Sequence, residues 1–194
     1  MTRLSGDAVI IGLTGTFGAG KGEVSKILMN KGCTYHSCSD VLRTELGHLG
    51  KEETIENLSK LGNEVREKFG AGELPRKLVA IIRKRKETRS IVDSIRSAGE
   101  VEELRKEPDF VLVSVEAPIA VRYQRVKRRG RLGDDLNFED FKRQEEAQMN
   151  GQGSKQNLRK CMDIADYKIL NDGTLEELRE NVESVLDEIE NGRK

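Results

Sequence analysis

The run Ala8-Val9-Ile10-Ile11-Gly12-Leu13, continuing as Thr14-Gly15-Thr16-Phe17-Gly18-Ala19-Gly20-Lys21-Gly22-Glu23, decides the fold. Its first six residues are almost wholly apolar and partly β-branched, the pattern of a strand buried on both faces of a parallel sheet. Glycines then crowd a turn, and from Glu23 to Lys31 the residues Val24, Ile27 and Leu28 recur at helical spacing until Gly32 stops the helix. Gly15, Gly20 and Lys21 fit G-x-x-x-x-G-K, a loop whose backbone N–H groups wrap a phosphate while the lysine reaches the β and γ oxygens. A strand before it and a helix after it separate this loop from an ordinary glycine turn. The next residues depart from the common form. Gly22 stands where Ser or Thr would ligate magnesium, and Glu23 repels phosphate unless its carboxylate turns away.

Outward from this unit the alternation repeats. Ser90 to Asp93, Phe110 to Val115 and Tyr167 to Leu170 read as strands, and Cys33 to Ser37 supplies a fifth. Helical patterns at Ser39 to Gly47, Glu53 to Phe69 and Leu74 to Thr88 are too much for a simple crossover, so residues 39–88 are expected as a helical flap with a hinge at Gly70-Ala71-Gly72. Pro118 to Arg129 and Phe138 to Gln148 read as helices around a polar loop, Gly130-Arg131-Leu132-Gly133-Asp134-Asp135, a candidate lid. After Asp172-Gly173-Thr174, the residues Leu175, Leu178, Val182, Val185, Leu186 and Ile189 share the face of a last helix.

Composition limits the rest. The 194 residues suffice for one domain, expected to span 1–194. Acidic and basic residues number 34 each, so the formal net charge is zero; the global field of a general nucleic-acid or membrane-surface binder is missing, and any anion must be bound locally. The longest apolar runs fall far short of the roughly 20 residues of a membrane helix and the N-terminus lacks an apolar signal segment, so a soluble, cytoplasmic protein is expected. Cys33, Cys38 and Cys161, odd in number and without a C-x-x-C pair, read as reduced thiols, and His36 and His48 as surface or loop residues. Any metal should be oxygen-bound.

Motif by motif, the chain resembles nucleotide kinases. Thr14 to Gly22 resembles the adenylate kinase loop G-x-P-G-x-G-K-G-T, with Phe17 for the usual Pro and Glu23 for the usual Thr. The resemblance implies ATP binding by Gly15, Thr16, Phe17, Gly18, Ala19, Gly20, Lys21, Gly22 and Glu23. Ser37-Cys38-Ser39-Asp40-Val41-Leu42-Arg43 is similar to S-T-G-D-M-L-R and so implies Asp40 and Arg43 at the acceptor, Arg43 holding its phosphate. Standing by itself, the segment is an Asp-capped helix with a surface arginine.

Val92-Asp93-Ser94-Ile95-Arg96 resembles D-G-F-P-R, one residue shorter and without the Pro. A carboxylate at that strand end can orient magnesium through water, which makes Asp93 the metal residue, and Arg96 can neutralise the transferred phosphoryl group and hold the acceptor. The alternative is an ordinary exposed Asp–Arg pair. Arg122, Arg125, Lys127, Arg128, Arg129 and Arg131 form the densest basic stretch, of the kind that usually faces solvent. Arg125-x-x-x-Arg129 nevertheless resembles the R-x-x-x-R pair leading into a kinase lid, which implies Arg125 on the nucleotide, Arg129 on phosphate and Arg143 as a further lid arginine.

Asn171 to Thr174 resembles the adenine-side loop of nucleotide kinases, and Ala165-Asp166-Tyr167 is also similar to dephospho-CoA kinases. Most of residues 8–190 resemble an archaeal family of adenylate-kinase-like P-loop proteins. The fold this implies is α/β: a three-layer P-loop nucleotide kinase with five parallel strands, a helical acceptor-binding insert at 39–88 and a short lid at 129–138. The implied activity is direct transfer of the ATP γ-phosphate, with magnesium, to a small phosphorylated acceptor, first of all a nucleoside monophosphate. A dephospho-CoA kinase with Asp40 as base, or a nucleotide-dependent switch or weak ATPase, is the alternative.

Overall fold

The computed structural model describes residues 8–130, 134–150 and 156–192. Five parallel strands, β1 (Val9–Thr14), β2 (Thr34–Ser37), β3 (Arg89–Asp93), β4 (Phe110–Glu116) and β5 (Tyr167–Leu170), lie in the order β2-β3-β1-β4-β5. β1 is central and buried throughout, as its apolar run predicts. Its alternate residues feed two cores. Val9, Ile11 and Leu13 face α1 (Lys21–Asn30) and α9 (Leu175–Asn191), where Ile27, Leu28, Val182 and Leu186 close one layer. Ile10 points to the other layer with Val92 and Leu112.

That second layer holds α2 (Cys38–His48), α3 (Ile55–Phe69) and α4 (Glu73–Arg85). Leu42, Leu46, Leu61, Leu74, Leu78 and Ile82 from these helices join one core with the sheet, so the segment read as a flap is anchored along its length by apolar burial. Gly70 does take a left-handed φ of 90° between α3 and α4. The corner is close-packed, because a Cβ on Gly72 would overlap Glu103 and one on Gly99 would overlap Ala71.

Two short helices are not apparent from hydrophobic periodicity: α5 (Ala98–Leu104) and α8 (Leu158–Asp163). The first carries a capping box, in which Ser97 accepts from the Glu100 N–H and Glu100 from the Ser97 N–H. The remaining helices are α6 (Ile119–Arg129) and α7 (Phe138–Met149). Residues 131–133 of the expected lid loop lie outside the described residues. His36 is neither a surface nor a loop residue: it lies in β2, buried, with Nε2 2.7 Å from Glu87. Among the described residues no helix is long and apolar enough to cross a membrane.

Candidate active site

The glycine loop leaves the C-terminal end of β1 and turns into α1 at Lys21, two residues before the helix legible in the sequence. Gly15, Gly18 and Gly20 adopt φ values of 132°, 79° and 100°, a region that side-chain-bearing residues rarely enter. A Cβ on Gly15 would overlap the Val115 carbonyl, and one on Gly20 the Asn171 amide. The loop is thus clamped between β4 and the end of β5. Lys21 folds back over it, its Nζ donating to the carbonyls of Gly15 (2.6 Å) and Thr16 (3.0 Å). Burial, with Arg96 and Arg122 adding repulsion against the pull of Asp93, lowers the Lys21 amine to about 8. Glu23 turns outward to Lys26 at 2.8 Å, clear of the loop. At Gly22 a Cβ would meet nothing within 4 Å, so space alone does not exclude a hydroxyl-bearing residue there.

Two arginines of α6, Arg122 and Arg129, contact the loop and a third, Arg125, reaches it through Asn171. Arg122, expected on a solvated face, is 4% exposed, donates to the Phe17 carbonyl at 3.2 Å and pairs with Glu145. Arg125 donates to the Asn171 carbonyl (2.8 Å) and side chain (3.3 Å), while Asn171 donates to the Ala19 carbonyl (2.8 Å). Arg129 lies over the Phe17 ring at 4.9 Å and grips Asp134 through Nε and Nη2 at 2.8 and 2.7 Å. Arg143 stays apart from this group: it is exposed on α7 and pairs with Asp140 one turn away. Asp166 serves the sheet, accepting from the Leu112 N–H at 2.8 Å.

Across Lys21 from α6, Asp93 is buried at the end of β3 and held from two directions. Tyr35 donates to its Oδ2 at 2.9 Å and the Ser94 N–H to its Oδ1 at 2.5 Å. Ser94 takes a φ of 66°, a left-handed position, which is where D-G-F-P-R has its glycine. The Tyr35 hydroxyl is pushed well above its ordinary range by burial and by Asp93. Burial and the nearby Arg66 lower Arg96, while Glu100 and Asp93 support its charge.

Arg66 of α3 and Glu100 of α5 form a buried pair, side chains 2% and 0% exposed, in which Nε and Nη2 donate to Glu100 Oε1 at 2.9 and 2.7 Å. Glu100 Oε2 accepts the N–H groups of Arg96 (2.6 Å) and Ser97 (3.1 Å), so this one carboxylate ties α3 to the Arg96 backbone.

Lys21, Ser94, Arg96 and Arg66 line a cavity of about 150 Å³ with Leu42, Ile55, Leu58 and Leu74 opposite. Arg43 reaches its rim, but its Nη1 and Nε are each 2.6 Å from Asp40 and Glu53. Asp40 is exposed and paired with Arg43, and neither it nor Asp93 is among the residues lining the cavity. Arg66, Arg122, Glu100, Gln148 and Gln156 are site residues that sequence reasoning missed. Only Glu100 had a local signal, its place in Ser97-x-x-Glu100.

A parallel sheet with the phosphate loop at the C-terminal end of its central strand, ringed by arginines, defines a P-loop kinase-like protein. A family model described as an AAA domain matches residues 11–150. The chain is 33% identical to the UPF0200 protein of Sulfurisphaera tokodaii over 93% of its own length and 97% of the relative's, and 33% identical to that of Methanosarcina mazei over 91% and 93%. It belongs to this UPF0200 family. Among solved structures it is similar to shikimate kinase from Bacteroides thetaiotaomicron (TM-score 0.60, 14% identity, 94% and 98% of the two chains). It is also similar to dephospho-CoA kinase from Campylobacter jejuni (TM-score 0.56, 17% identity, 95% and 98%). At those identities the likeness is one of fold, and it bears out the expected α/β architecture with five parallel strands.

Proposed function

We propose that this protein is an ATP-dependent phosphotransferase that moves the γ-phosphate to a small phosphorylated acceptor, with nucleoside monophosphates the first class to try. One observation carries the reading: Lys21 lies between the closed phosphate loop and a cavity that also holds Arg96 and Arg66. On binding ATP, Lys21 would exchange the Gly15 and Thr16 carbonyls for phosphate oxygens, and the α6 arginines would brace the loop. Asp93 fits a magnesium ion riding on the phosphates, since it is a carboxylate felt by Lys21, while Gly22 offers no side-chain oxygen and Glu23 points away. Its fixed orientation through Tyr35 and Ser94 suits that task. ATP as donor places the work in the cytoplasm.

A second reading has its own support. Arg43, the residue that would grip an acceptor phosphate, is already neutralised by Asp40 and Glu53, which favours an acceptor attacking through a hydroxyl, as dephospho-CoA does. In that case Asp93, whose charge is felt by Lys21, joins Asp40 as a candidate carboxylate near the transferred group. The test is magnesium-dependent ADP formation from ATP with each common nucleoside monophosphate and dephospho-CoA, with product identification. Strong stimulation by one acceptor, lost in Lys21→Ala, upholds phosphotransfer and names the substrate. Slow hydrolysis indifferent to every acceptor overturns it in favour of a nucleotide-dependent switch or weak ATPase.

A further inference from the structure

Gln156, just before α8, is 7% exposed and lines the cavity beside Lys21, yet its side-chain Oε1 has no hydrogen-bond partner among the described residues. A buried amide oxygen without a donor bears the full cost of leaving water, and native structures rarely tolerate one without a reason. Its place is not accidental. The N–H of the next residue, Asn157, donates to the Arg96 carbonyl at 2.8 Å, so the strand end that carries Arg96 also sets the position of Gln156.

The neighbouring cations differ in how far they are committed. Arg66 gives Nε and Nη2 to Glu100. Among the described residues the guanidinium of Arg96 makes one long hydrogen bond, 3.4 Å to the neutral Gln148 Oε1. The cavity therefore offers a cation and a hydrogen-bond acceptor from two segments joined by the Asn157–Arg96 backbone bond, together with the apolar side chains of Leu42, Ile55, Leu58 and Leu74. An anion alone satisfies the first and not the second, because a dianionic phosphate has no proton to give to Gln156. A ligand satisfies both when it carries a hydroxyl or amino group near its anionic group.

We infer that Gln156 is a specificity-determining residue, accepting a hydrogen bond from a hydroxyl or amino group that the acceptor carries close to the anionic group seated on Arg96. The inference rests on the phosphotransferase reading of the site and adds to it a chemical requirement on the acceptor.

Once the acceptor panel has identified a substrate, the experiment compares it with its deoxy and deamino analogues in the wild-type protein and in Gln156→Leu. The wild type should use the relevant analogue about 10- to 100-fold less well, and Gln156→Leu should raise the KM for the parent by a similar factor while leaving the KM for ATP unchanged. In that variant the preference for the parent should vanish, and which analogue shows the effect tells hydroxyl from amine. A preference that survives Gln156→Leu overturns the inference and leaves phosphotransfer standing.

If no compound is phosphorylated, the phosphotransferase reading falls, and thermal shifts of the ADP-bound protein with the same panel decide about Gln156. Stabilisation by a compound in the wild type that is lost in Gln156→Leu supports recognition by Gln156; equal stabilisation in both, or none at all, overturns it. Gln156→Leu removes an unpaired polar atom and should melt no lower than the wild type, so misfolding does not confuse the result. Gln156→Glu, which sets a carboxylate against Arg96, should weaken acceptor binding at least as much.

Discussion

The sides of Lys21 proposed for donor and acceptor are held by different kinds of interaction. Toward the donor, the loop is shaped by backbone: three glycines at positive φ, carbonyls of β4 packed against it, and Arg122, Arg125 and Asn171 bonded to main-chain groups. Toward the acceptor, the surface is made of side chains from α2, α3, α4, the end of β3 and the segment before α8, where Gln156 Oε1 has no hydrogen-bond partner among the described residues. Backbone amides recognise phosphate, which every nucleoside triphosphate carries, so that half can be built the same way for many substrates. Side chains drawn from several helices recognise one molecule. The donor half therefore speaks to the reaction class and the acceptor half to the substrate.

The largest test of this division removes the residue both sides share. Lys21→Ala should lower acceptor-dependent ADP formation by about 100- to 1,000-fold, as loss of a single group aimed at transition-state charge usually does. A comparable loss on the donor side alone is expected from Gly20→Ala, whose Cβ would overlap Asn171 at a left-handed φ; nucleotide titration should show ATP binding lost while the fold, followed by circular dichroism, is kept.

Next in size is the buried pair on the acceptor side. Arg66→Met strands Glu100 as a buried charge and should cost about 3–5 kcal/mol in denaturant unfolding. Adding Glu100→Gln should recover part of that loss, since the charge goes while the amide oxygen can still accept from the Arg96 and Ser97 N–H groups. No recovery would mean that the carboxylate's bonds to those N–H groups matter more than the pairing itself.

A pH experiment sharpens the donor side. Free Lys21 titrates at about 8 because burial opposes its charge, and phosphate bound against it favours the charged amine. Its pKa must therefore rise on binding, so ATP binding takes up a proton above about pH 8 and affinity falls as pH climbs from there. Titration calorimetry in two buffers of different ionisation heat measures the uptake; Lys21→Arg, charged throughout, should abolish it.

The smallest effect belongs to the exposed pairs. Arg43→Ala should change stability by less than about 1 kcal/mol, because Asp40 and Glu53 hold it in solvent. A large rise in acceptor KM in that variant would return Arg43 to the acceptor phosphate and narrow the contrast between the two sides.

Much of the architecture was legible because its causes are local. The apolar run at β1, the glycine loop and the last amphipathic helix each follow from periodicity or from residues with restricted backbones, and all three stand where the pattern puts them. The placement of Lys21 after the β1 loop and of Asp93 at the end of β3 follows from the same signals, whereas the pairing of β1 with β3 does not. The commitments of the arginines do not. Arg122 and Arg143 both belong to helices rich in charged residues, yet one is buried against the Phe17 carbonyl and the other is exposed beside Asp140. Arg66 and Glu100 are 34 residues apart and meet only because α3 and α5 pack in one layer.

By itself, then, the sequence determined the strand–loop–helix unit and with it the backbone shape of a phosphate loop, because a glycine's backbone freedom and a strand's burial are properties of short segments. Which charges are spent on each other and which remain for a ligand was decided by tertiary structure alone. Pairing depends on side-chain ends brought within about 3 Å by packing, a distance that no spacing along the chain encodes.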